Sequence, residues 1–69
     1  MDIRRQVGRT VKALRDAEGL SQEELADAAG LHRTYVSGVE RGVRNPTIQI
    51  IAKLAKALGV EPAELLKKR

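Results

Sequence analysis

The chain has 69 residues, 42% of them hydrophobic, and carries a net charge of +4. That length supports one domain, residues 1–69, with a core so thin that close helix packing or a second subunit is expected to contribute to stability. The absence of cysteine excludes disulfides, thiolate zinc sites and a cysteine nucleophile, the lone His32 cannot organise a metal site, and one aromatic residue, Tyr35, leaves the core to Leu, Ile, Val and Ala.

Ile3, Val7, Val11 and Leu14 recur at helical spacing and predict a first helix over about residues 2–18, closed by Gly19. Ser21 and Glu24 stand three apart, the spacing of a reciprocal capping box, and Leu20 with Leu25 completes a hydrophobic staple. Glu23, Glu24 and Asp27 sit mostly near the positive end of this second helix. Gly30 supplies a left-handed corner, and Ala26 and Ala29 leave room for the next helix to approach closely.

The third helix, about residues 33–41, divides by angle. With Arg33 at zero, Ser37 falls at roughly 40°, Arg41 at roughly 80° and Thr34 at roughly 100°, while Val36 falls at roughly 300° and Val39 at roughly 240°. The valines are therefore expected to pack on the second helix and leave the arginine side free. Glu40 belongs to neither face; it is expected to turn inward and pair with Arg15, because a partly buried charge needs an opposite charge. Gly42 ends the helix.

Asn45, Pro46 and Thr47 form a break, with Thr47 capping a fourth helix that directs Ile48, Ile51, Leu54, Ala55 and Leu58 toward the core and stops at Gly59. Pro62 suits the first turn of a fifth helix, about residues 62–67. No strand, internal repeat or long linker is expected, so the fold class is all-α with five helices. From Leu31 to Lys56 five basic side chains face Glu40 alone, while most acids lie elsewhere, an asymmetry that favours a polyanion on one side. No apolar run reaches bilayer length and MDIRRQ lacks a signal-peptide core, so a cytoplasmic protein is expected.

The stretch SQEELADAAGL, then HRTYVSGVERG, then RNPT resembles the Cro/repressor-type, or xenobiotic-response-element, helix-turn-helix family across essentially the whole chain, with Gln22, Ala26, Gly30, Val36 and Glu40 in register. Within that family it is most similar to the controller proteins of restriction-modification systems. The resemblance implies a helix-turn-helix over about residues 21–41 that binds double-stranded DNA. It also implies base contacts from Arg33, Thr34 and Ser37, and backbone contacts from Gln22, Arg44 and Asn45. It supports the Arg15–Glu40 pair as well. His32 departs from the usual Ser, Asp or Thr cap; since imidazole caps less well, fraying or a slight repositioning at the start of the third helix is expected.

Arg41 is assigned to the DNA backbone. Tyr35 either packs its ring on the domain or offers its hydroxyl to phosphate, and Gly38, costly in a helix by about 1 kcal/mol, is either tolerated or serves a close approach. A homodimer is expected, because one recognition helix covers few base pairs and two about 34 Å apart multiply specificity. Its interface is placed on the fourth and fifth helices through Ile50, Val60, Leu65 and Leu66. No cofactor, metal, membrane or small-molecule effector is expected. A different class of function stays open: an antitoxin-type module that binds a toxin as well as its own promoter. An enzyme is disfavoured, because the acids that could hold a metal are explained as helix-start charges.

Overall fold

The computed structural model describes residues 2–68, which form five helices and, among the described residues, no strand. They are α1 (Ile3–Ala17), α2 (Gln22–Ala29), α3 (Arg33–Glu40), α4 (Ile48–Leu58) and α5 (Pro62–Leu66). The all-α expectation and the order of elements hold, each boundary within a residue or two.

The helix starts are written in side-chain chemistry. Asp2 accepts from the Arg4 amide at 3.0 Å, Ser21 from the Glu24 amide at 3.0 Å, and Thr47 from the Ile50 amide at 3.2 Å. Glu24 completes the capping box by accepting from the Ser21 amide at 2.8 Å. That bond is the main reason its carboxyl is held below its ordinary pKa. At the corner between α2 and α3, Gly30 adopts φ +68°, and Leu31 N–H closes back on Ala26 C=O at 2.8 Å.

The core is aliphatic. Val11, Leu25, Val36, Val39, Leu54 and Leu65 are fully enclosed, each worth about 1.5–3 kcal/mol of apolar transfer. Thr10, the one other polar residue besides Arg15 in the buried set, donates to its own helix at Gln6 C=O, 3.1 Å away, and so leaves no unsatisfied group. Gly8 marks a close approach between α1 and α3, since a Cβ there would run into the Val39 and Glu40 carbonyl oxygens.

Two expectations are corrected. Leu65, assigned to a dimer interface, is fully buried within the chain and belongs to the core. Ile48, assigned to the core, is 88% exposed. Ile51, Leu54, Ala55 and Leu58 define a buried stripe from which Ile48 is displaced by roughly 70°, and at the first turn of α4 no neighbouring helix covers it. With the half-exposed Ile3 and Leu66, and with Pro46, Ala52 and Pro62, it lines an open apolar groove of about 460 Å³.

Candidate nucleic-acid interface

The helix α3 is held from behind and open in front. Behind, Val36 and Val39 are enclosed and Glu40 turns inward as expected. Its carboxylate accepts from Arg15 Nε at 2.6 Å and Arg15 Nη2 at 3.0 Å, while Arg15 Nη1 donates to Leu20 C=O at 2.7 Å. The side chains of this pair are only 10% and 3% exposed, so the ions are desolvated and depend on these bonds. The Glu40 bond is the first cause that raises the Arg15 pKa above its ordinary value.

The amide of Gln22 joins the same cluster, donating from Nε2 to Glu40 Oε1 at 3.0 Å. The family resemblance implies a phosphate contact for Gln22 and gives no sign of this bond. The two uses are compatible, because a primary amide has two N–H donors and only one is engaged. The cluster thus ties the first turn of α2 to the last turn of α3 and fixes the angle between the two motif helices.

At the start of α3 the imidazole does form a cap. His32 adopts the extended backbone of an N-cap, and its Nδ1 accepts from the Thr34 amide at 3.1 Å. A neutral imidazole has one in-plane lone pair, which is enough to satisfy one free donor of the opening turn.

In front, Arg33 and Thr34 are exposed and Ser37 is half-buried. Among the described residues neither Arg33, Arg41 nor Arg44 has an ion-pair partner. Arg44 instead lies over the ring of Tyr35, its guanidinium carbon 5.6 Å from the centroid, within reach of a cation–π attraction. The half-buried ring packs against the edge of the core. Gly38 explains the placement, because a Cβ there would meet Cγ of Arg44. The missing side chain of α3 is the seat for the Arg44 stem, a relation between residues six apart that the sequence pattern alone does not reveal.

Arg44 and the exposed Asn45 thus leave α3 on a supported loop, next to the polar stripe. Comparison with known proteins decides what this arrangement is. A family model described as helix-turn-helix matches residues 11–65. This chain belongs to the helix-turn-helix family. It is 47% identical over 66 residues to the control protein C.BamHI of Bacillus amyloliquefaciens, covering 94% of this chain and 82% of that protein.

Among solved structures of this helix-turn-helix type, it is similar to the restriction-modification controller protein C.AhdI from Aeromonas hydrophila. That match has 53% identity and a TM-score of 0.88, and covers 90% of this chain and 94% of the other. A hypothetical transcription factor from Neisseria superposes with a TM-score of 0.94 at 45% identity, over 97% of this chain and 77% of its own. Among the described residues no helix is long and apolar enough to cross a membrane.

Proposed function

We propose that this helix-turn-helix regulator of transcription works as a homodimer on a pseudo-palindromic duplex, in the class of restriction-modification controllers. The observation that carries the reading is the division of α3, whose back is locked by Val36, Val39 and the Arg15–Glu40 pair while Arg33 and Thr34 stand exposed on the other side. A helix so braced can enter a major groove as a rigid body. In this reading Arg33 presents its planar fork to guanine, a contact worth about 1–3 kcal/mol of discrimination. Thr34 and Ser37 reach neighbouring base edges.

Gln22, Arg41, Arg44 and Asn45 contact the DNA backbone and set register without reading sequence. The ring of Tyr35 supports Arg44, and its hydroxyl is left for phosphate. Such a regulator works in the cytoplasm, and no enzymatic activity is proposed for it. Glu24 serves the capping box, Glu40 serves Arg15, and Asp16 accepts from Lys12 Nζ at 2.9 Å.

The dimer reading keeps the α4–α5 side but changes its residues. Leu66, Ile48 and Ile3 expose apolar surface around one groove, with Ile50 and Val60 half-buried; Leu65 plays no part. Each copy measures 29 × 21 × 21 Å, a size that lets two touching copies hold recognition helices about 34 Å apart.

The test is site selection from random duplexes, repeated with Arg33→Ala and Arg44→Ala and accompanied by sedimentation. Arg33→Ala is expected to relax one base position per half-site, Arg44→Ala to weaken all sites evenly, and Leu66→Asp to yield monomers. Indifference of the wild type to every duplex at low salt defeats the proposal.

A further inference from the structure

We propose that Arg5, Arg9 and Arg41 form a phosphate-binding concavity that carries the DNA contact from α3 onto the first turns of α1. Its ligand is the sugar-phosphate strand at the wall of the major groove. The inference rests on the DNA-binding reading above and adds two residues, Arg5 and Arg9, to it.

Arg5 and Arg9 are four apart on α1 and share a face, and both are exposed. Arg41 caps the far end of the recognition helix, in a distant part of the chain. The three side chains nevertheless line one open depression of about 440 Å³. Their convergence is built into the backbone: Gly42 turns the chain at φ +77°, and a Cβ at that position would strike the Cα, N and Cγ of Arg5. The corner after α3 therefore rests directly on α1.

Uncompensated charge sets this depression apart. Arg4, Lys12, Arg15 and Lys67 each have an acid within ion-pair distance, whereas among the described residues Arg5, Arg9 and Arg41 have none. Glu40 also borders the depression, but its side chain is 3% exposed and its oxygens are held by Arg15 and Gln22. Three guanidinium groups thus face one space without a counter-charge of their own. Guanidinium is the side-chain group whose planar fork matches phosphate with two parallel bonds.

Position supplies the source of the phosphate. Eight residues separate Arg33 from Arg41, a rise of about 12 Å, more than the depth of the major groove, about 8.5 Å. With Arg33 at the bases, Arg41 stands at the groove wall, and Arg5 and Arg9 follow that wall outward.

The experiment measures the salt dependence of binding to a 30-base-pair duplex carrying the site recovered by selection. It compares wild type, the double variant Arg5→Gln with Arg9→Gln, and a control of equal charge, Lys53→Gln with Lys56→Gln. The control lysines line a separate depression near Gly30. Loss of two phosphate contacts per protomer, four per dimer, is expected to lower the slope of log K against log salt by about 4 and to weaken binding at least tenfold near 0.1 M salt, with the preferred sequence unchanged. The lysine control is expected to keep the wild-type slope, and Arg5→Lys with Arg9→Lys to restore most of it.

A double glutamine variant whose slope and affinity match the wild type overturns the inference while leaving DNA binding intact. So does one that keeps its DNA affinity but loses an acidic protein partner. Wild type that selects no duplex takes both readings down.

Discussion

The two sides of α3 follow opposite rules. On the inner side each polar group is satisfied by named partners: both oxygens of Glu40 are bonded, and Arg15 donates to three acceptors. On the outer side Arg33, Thr34 and Arg41 are exposed, and neither arginine has an ion-pair partner among the described residues. Rigidity and availability are thus separated across one helix about 12 Å long. Changes behind α3 should cost stability, and changes in front should cost binding or sequence preference.

The largest break comes from Glu40→Ala. It leaves a guanidinium enclosed without its carboxylate, for which a loss of about 3–5 kcal/mol is expected. In a domain this small that approaches the whole stability, so urea denaturation should show a chain largely unfolded near room temperature. The joint change Arg15→Met with Glu40→Leu removes both charges and should recover much of the loss, because paired desolvation disappears together with paired attraction.

Next comes Gly8→Ala, which forces a methyl against the Val39 and Glu40 carbonyls. Since the obstruction is backbone, α1 and α3 must separate, and about 1–3 kcal/mol should be lost despite the better helix propensity of alanine. Thermal unfolding checks the sign.

Gly38→Ala sharpens the contrast, because it lies on the front. The same gain in propensity, about 1 kcal/mol at most, is available there, and the obstacle is the Arg44 side chain rather than backbone. Displacing the Arg44 stem offsets that gain, so the variant should melt near the wild-type temperature, yet bind duplex several-fold more weakly as Arg44 leaves Tyr35. Equal binding would show that the seat of Arg44 is irrelevant to DNA.

The smallest effect concerns Glu24. Its pKa is lowered chiefly by the bond from the Ser21 amide, so within its titration range the unfolded chain holds more protons than the folded one. The capping contribution is therefore complete above the ordinary carboxylate pKa and disappears as pH falls through the lowered folded value. Glu24→Gln keeps an acceptor without the charge. It should be slightly less stable than wild type at neutral pH, with the difference closing in acid, as followed by urea denaturation at several pH values.

The parts legible in the sequence are those governed by neighbours along the chain. Ser21 with Glu24, Thr47 with Ile50, and Gly30 at its corner announce helix ends through contacts between near neighbours, and the valine side of α3 follows from the helical period. The Arg15–Glu40 pair is accessible because an inward acid demands a cation. Gly8 carries no such sign, since the carbonyls it meets belong to Val39 and Glu40, on a helix far along the chain. Ile48 is misplaced because it lies roughly 70° off the buried stripe of α4, an offset that a loose reading of helical spacing passes over. Leu65 and Leu66, adjacent and chemically identical, take opposite fates for a reason visible only once α5 docks. The basic depression under Gly42 is hidden in the same way, by a contact between chain segments that local pattern keeps apart.

Tyr35 is the sole aromatic residue of the chain, and it sits in the recognition helix beneath Arg44. Near-ultraviolet absorbance, circular dichroism and emission above the amide band therefore originate at one point in the molecule. Ordering of that helix and release of the guanidinium can each be followed there without a label, at wavelengths where the other four helices are silent.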